Sequence, residues 1–254
     1  MNVTLVLVLA LTIGVLLVLA LLSLHKLRRM HLMLFRIQTD GEETRREVAA
    51  LFGQLQALQS LDRLLKLEHG LPPLRGWAGS PDMLLLVAQR VMRSRPTVVL
   101  ECSSGASTIV AARCCQLNGM GHVYSLEHDE AYAQKTRDHL AGHGLSEWAS
   151  VLHAPLEVGA DGTHWYRDSA LPAEAIGAEL VVVDGPPAGG DSEARFPALP
   201  RLRARLAPRF AVVLDDADRP GEREVVARWL KLDPTLQAEW LPCEKGLAVV
   251  ETKN

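Results

Sequence analysis

The chain has 254 residues, of which 48% are apolar, and a formal net charge of −3 at pH 7. That length allows one substantial globular domain plus an appendage, and the mild acidity argues against a general nucleic-acid binder, which carries a strongly basic surface. The four cysteines, Cys102, Cys114, Cys115 and Cys243, form no C-x-x-C pair, so they read as small buried hydrophobes in a reducing compartment and not as a zinc site.

Residues 3–24 carry no charge and are interrupted only by Thr4, Thr12, Gly14 and Ser23. About 20 apolar residues cross the hydrocarbon core as a helix. A cleaved signal peptide is the rival reading, but it has a basic start and an apolar stretch of roughly 7–15 residues. Met1 and Asn2 offer no base, and Leu22-Ser23-Leu24 is a poor cleavage site. Residues 1–25 are therefore expected to form a single-pass transmembrane anchor. Lys26, Arg28 and Arg29 follow the span and no Lys or Arg precedes it, so the positive-inside rule places the bulk of the chain in the cytoplasm.

Residues 26–70 are expected to form a helical stalk. Positions a and d of a heptad register begun at Leu27 are apolar through Leu65, except at Gly41, Thr44 and Asp62. Such a period favours a coiled coil and hence a parallel homodimer. A single amphipathic helix lying on the chain's own domain or on the membrane is the alternative. Gly70, Pro72 and Pro73 then end the helix.

From residue 71 to 254 the pattern changes to one globular domain. Ser80-Pro81 opens a helix carrying Leu84, Leu85, Ala88 and Val91. Short β-rich runs are expected at 97–101, 122–127, 150–153, 179–184 and 210–215. Helical stretches between most of them lie after 105 and over 131–140, 194–206 and 222–232. Strands alternating with helices argue for a parallel α/β sheet. The last runs, 236–241 and 246–251, are too close for a parallel crossover and should pair antiparallel.

Ligands of open parallel sheets bind beyond the carboxyl ends of the strands. Glu101, Glu127, Asp184 and Asp215 all fall at such ends, a repetition that packing alone explains poorly. Ser103, Ser104, Gly105 and Ala106 let backbone approach a ligand, at a helix start that presents free amides. Glu127 is placed to accept hydrogen bonds from both hydroxyls of a ribose. Pro186 and Pro187 make the loop after Asp184 rigid.

These residues resemble a class I S-adenosylmethionine-dependent methyltransferase over about residues 96–251. Residues 98–107 are similar to that family's E-x-G-x-G-x-S cofactor loop, with Ser103 in place of its first glycine. Residues 123–129 are similar to the strand whose terminal acid, here Glu127, holds the cofactor ribose. Asp184 before Gly-Pro-Pro and the Asp215-Asp216 pair complete the match. The resemblance implies a doubly wound, mostly parallel seven-stranded sheet with an antiparallel last strand. It also implies cofactor contacts from Glu101, Ser103, Gly105, Ser107, Glu127, His128 and Asp184. A nicotinamide-dependent enzyme fits less well, because Thr108 stands where the third glycine of G-x-G-x-x-G belongs.

Within the family the acids resemble the catechol and caffeoyl-type O-methyltransferases, in which such residues hold magnesium. Asp184, Asp215 and Asp216 are the corresponding candidate ligands here. The second acid of the pair is Asp and not Asn, so a metal-free reading stands beside it. In that reading Asp184 is the general base or simply binds the cofactor's amino group, Asp216 or Asp218 caps the helix near Pro220, and Arg219 or Arg223 neutralises the cluster. No aromatic residue follows Pro187, which disfavours a flat amine acceptor and leaves an oxygen of a small molecule or glycan precursor. His164, Trp165 and Tyr166 are candidates to cover that acceptor, or simply loop packing. A non-catalytic, membrane-tethered scaffold is the reading from another class.

Overall fold

The computed structural model describes residues 3–74, 78–159, 162–187, 189 and 192–253. The chain divides into two compact units, Met1–Phe52 and Gly53–Asn254. The first is helical throughout its described residues, within helix α1 (Val3–Leu65). Its large apolar side chains from Leu7 to Phe52 are exposed in the single chain. It contains a stretch long and apolar enough to cross a membrane.

The second unit begins inside the segment expected as stalk. Its part of α1 turns Ala57, Leu61 and Leu65 inward, and Leu61 and Leu65 join the core formed with Met83, Leu84 and Val87. Arg113 Nε donates to the Leu65 carbonyl at 2.8 Å and so satisfies a helix-end acceptor. The heptad positions Leu55 and Leu58 remain exposed on another side of the helix.

Beyond α1 the domain follows the expected alternation. Helix α2 (Pro81–Ser94) has Pro at its first turn and the left-handed Arg95 at its end. Strand β1 (Val98–Cys102) leads to α3 (Ala106–Asn118), which Gly119 stops at φ +68°. Strand β2 (His122–Glu127) leads to α4 (Glu130–Gly142), capped by Asp129, whose carboxylate accepts from the Tyr132 amide at 3.0 Å. Strand β3 (Ala149–His153) is followed by a hairpin of β4 (Leu156–Val158) and β5 (His164–Tyr166), which the sequence pattern does not announce. Strands β6 (Ala178–Val183) and β7 (Leu206–Leu214) flank the short helix α5 (Ala198–Leu202). The expected helix over 194–206 is thus broken into turns, α5 and a 3-10 turn, because Pro197 and Pro200 interrupt the backbone ladder. Helix α6 (Pro220–Leu232) and the strands β8 (Leu236–Leu241) and β9 (Leu247–Thr252) close the domain.

The main sheet has seven strands in the order β3-β2-β1-β6-β7-β9-β8. All neighbours from β3 to β7 are parallel, while β9 lies antiparallel to both β7 and β8. One face packs on α2, α3, α4 and the end of α1; the other carries the β4–β5 hairpin, α5 and α6. The strand order reverses at β1, between β2 and β6, the position at which an open sheet forms a ligand crevice.

Candidate active site

Four strand ends lie side by side at that crevice. The ladder continues past the strands: Asp184 N donates to the Cys102 carbonyl at 3.1 Å, and Asp215 N to the Val183 carbonyl at 3.0 Å. Sheet hydrogen bonding therefore fixes the spacing of the acids, and it brings together the residues singled out in the sequence.

On the β1–β2 side, Glu127 is 3% exposed. Its Oε2 accepts from the amide and the hydroxyl of Ser104, both at 3.0 Å, and its Oε1 accepts from the Asp129 amide at 3.1 Å. His128 Nδ1 lies 2.9 Å from the same Oε1. Glu101 is fully buried, with Thr108 Oγ1 donating to its Oε2 at 2.5 Å. Burial pushes the Glu101 carboxyl up to about 7; the hydroxyls of Ser107, Thr108 and Ser125 oppose the rise, and the Glu127 charge adds to it. The loop between is strained at one residue. Ser103 sits at φ +86°, a conformation that glycine adopts freely and other residues rarely. Its amide donates to the Leu126 carbonyl at 2.9 Å and its carbonyl accepts from Ser125 Oγ at 3.0 Å, which hold it there. Gly105 N donates to Thr108 Oγ1 at 3.0 Å at the start of α3.

On the β6–β7 side, Asp184, Asp215 and Asp216 each offer an oxygen, and these oxygens lie within 4.8 Å of one another. Both carboxylate oxygens of Asp215 and Oδ1 of Asp216 are buried without a hydrogen-bond partner among the described residues. Burial, reinforced by the neighbouring Asp215 charge, holds the Asp184 carboxyl well above the usual carboxylate range. Burial and the Asp216 charge raise Asp215 as well.

One of the groups that balance this charge was not legible in the sequence. Arg195 is 6% exposed and lies between the two strand ends in space. Its Nη1 donates to the Asp215 carbonyl at 2.9 Å, and its Nη2 donates to the Asp184 carbonyl at 3.0 Å and to Asp216 Oδ2 at 2.8 Å. Asp184 Oδ1 at 3.3 Å and Glu222 Oε1 at 3.7 Å complete its surroundings. Arg219 also pairs with Asp216 at 2.9 Å, whereas Arg223 pairs with Asp218 at 3.1 Å. Neither Asp216 nor Asp218 caps α6: its N-cap is Arg219, with no side-chain cap hydrogen bond. Nothing in the local pattern around Arg195 marks it, because its partners are distant in sequence.

The three aromatic candidates separate. Trp165 and Tyr166 are 2% exposed, while His164 is exposed. The first two therefore read as packing on the sheet, with one exception at the Tyr166 hydroxyl taken up below.

Residues 100–217 match the family model described as a methyltransferase domain. No curated protein matches the chain. Solved structures with the same fold include the S-adenosylhomocysteine-bound methyltransferase PaMTH1 from Podospora anserina. It has a TM-score of 0.59 and 14% identity, over 84% of this chain and 97% of that one. A methyltransferase from Geobacter sulfurreducens aligns with a TM-score of 0.53 and 14% identity, over 82% of this chain and 97% of its own. The O-methyltransferase TomG from Streptomyces achromogenes, solved with S-adenosylmethionine and involved in tomaymycin synthesis, aligns at 0.51 and 16% identity, over 79% and 89%.

Proposed function

We propose that this chain, whose residues 100–217 form a class I S-adenosylmethionine-dependent methyltransferase domain, is a membrane-anchored O-methyltransferase of a small molecule or glycan precursor. The observation that carries the reading is the gathering of Glu127, Asp184, Asp215 and Asp216 at the carboxyl edge of one parallel sheet.

The cofactor supplies a methyl group already activated on a sulfonium. The residues of the chain have the remaining tasks of binding, alignment and proton removal. Glu127 holds the ribose hydroxyls and His128 borders the adenine side. Ser103, Gly105 and Ser107 form the loop over which the cofactor lies, and Glu101 supports that loop from below. Asp184 faces the acceptor. Burial and the neighbouring Asp215 charge raise its carboxyl, which makes it a stronger base toward an acceptor hydroxyl than an ordinary aspartate.

The donor set also suits magnesium: three clustered carboxylates, those of Asp215 and Asp216 with oxygens unpartnered among the described residues, only partly neutralised by Arg195. Asp184, Asp215 and Asp216 would hold the ion, which would supply Lewis acidity toward an acceptor oxygen.

The apolar helix supports the anchor, and Lys26, Arg28 and Arg29 after it support a cytoplasmic domain. The exposed apolar side chains of α1, Leu27, Met30, Leu34, Ile37, Val48 and Leu51 among them, support a parallel homodimer through that helix. The proposed limits are an anchor over 1–25, a helical stalk over 26–70 and a methyltransferase domain over 71–254.

The test is transfer of label from methyl-labelled S-adenosylmethionine to cell extracts by the full-length chain in vesicles. Label is expected in a small or glycan-bearing product and is expected to be lost in Asp184→Asn. Label that stays on the cofactor with every extract supports the non-catalytic scaffold.

A further inference from the structure

A further polar group at the crevice has no hydrogen-bond partner among the described residues. Tyr166 ends β5, and its hydroxyl is buried without a hydrogen bond. A methyl group placed on Gly185 would meet this hydroxyl at 2.5 Å and Ser103 Cβ at 2.8 Å. The hydroxyl therefore lies against the loop after β1 and the loop after β6, at the sheet's reversal point. Its ring is fixed by Trp165, at 5.1 Å and 81°, and edges His128 at 6.4 Å. An unpaired buried hydroxyl is destabilising, so a phenylalanine would pack there at less expense.

We propose that the Tyr166 hydroxyl binds the carboxylate of the cofactor's amino-acid tail. The inference rests on the methyltransferase reading of the domain. Three facts carry it. With the ribose on Glu127 at β2 and the methyl group toward Asp184 at β6, the sulfonium that joins them lies over β1, and the amino-acid tail branches from it beside Ser103, the residue next to the Tyr166 hydroxyl. The surroundings of that path are dominated by the carboxylates of Glu101, Glu127 and Asp184, so a further carboxylate needs a hydrogen-bond donor. Burial, with the nearby Cys102 and Glu127 groups adding to it, keeps the phenol protonated, so it donates and does not compete as an anion. The hairpin thus serves as a cofactor-binding element and not only as cover for the sheet.

Calorimetry of the full-length chain in detergent tests this with three ligands. They are S-adenosylhomocysteine, its decarboxylated analogue bearing only the amine, and 5′-methylthioadenosine, which lacks the tail. Tyr166→Phe is expected to lower S-adenosylhomocysteine affinity about tenfold, in line with a hydrogen bond to a charged group, and to leave methylthioadenosine affinity unchanged. The ligand-free variant is expected to melt no lower than the wild type. Equal losses on both ligands, or no loss on either, overturn the inference. So does a wild type that binds the decarboxylated analogue as tightly as S-adenosylhomocysteine. A folded wild type that binds none of the three overturns the methyltransferase reading itself, and the inference with it.

Discussion

Arg195 Nη2 sits 2.8 Å from Asp216 Oδ2, with both side chains almost fully buried. The same guanidinium ties the Asp184 and Asp215 carbonyls together, so one cation fixes both strand ends and their charge. Removing one member of a buried ion pair is far more damaging than the pair is stabilising, because the partner is left uncompensated.

Arg195→Met is therefore expected to destabilise the domain by about 3–5 kcal/mol at neutral pH. The deficit shrinks as the pH falls, since protonation relieves the stranded Asp184 and Glu222, whose carboxyls burial already raises. Thermal melts of wild type and variant across pH 5–8 check both the size and the slope. A deficit that does not change with pH would count against a charge-based role.

Glu101 gives a pH dependence of its own. Its folded carboxyl titrates at about 7, above the ordinary value of 4.5. The folded state then holds more protons than the unfolded state between those values, so stability falls as pH rises through that window. Above it a constant penalty of about 3 kcal/mol remains. Glu101→Gln should raise the melting temperature at pH 8, change it little at pH 4.5, and weaken cofactor binding. A variant that melts lower than wild type at pH 8 contradicts this assignment.

Ser103 stands in backbone space suited to glycine, at φ +86°. Ser103→Gly is expected to stabilise the chain by up to about 1 kcal/mol and to tighten cofactor binding by easing the approach to the loop. Denaturant midpoints and calorimetric titration report the two effects separately. A looser cofactor site in the glycine variant would show that the Ser103 side chain makes a useful contact.

For the acid cluster, manganese serves as a spectroscopic substitute for magnesium. Wild type should bind one ion, and Asp215→Asn should bind it at least tenfold more weakly, because a charged ligand with two unpartnered oxygens is replaced by a neutral one. Equal, weak binding by both proteins would favour the metal-free role for Asp184.

Much of this was legible from residue patterns. The alternation of β-branched runs and helical stretches gave the sheet its strands, and the terminal acids marked the carboxyl edge at which they gather, because strand periodicity and strand-end chemistry are local properties. The β4–β5 hairpin was not, since its strands of three residues are too short to show a period. Arg195 escaped notice for a related reason: its partners Asp184, Asp215, Asp216 and Glu222 come together only through the fold. The end of α1 carried a heptad reading, yet Leu61 and Leu65 turn into the domain core. In that stretch apolar residues lie on more than one side of the helix, and a period does not say which side finds the domain.

The edge formed by β1, β2 and β6 is proposed to bind S-adenosylmethionine. Titrating the full-length chain with this cofactor tests it most directly. Saturable one-site binding is expected, weakened at least tenfold by Glu127→Ala through the loss of charge-assisted hydrogen bonds. No heat of binding from folded protein at about 1 mM cofactor, an affinity limit of roughly −4 kcal/mol, would contradict it.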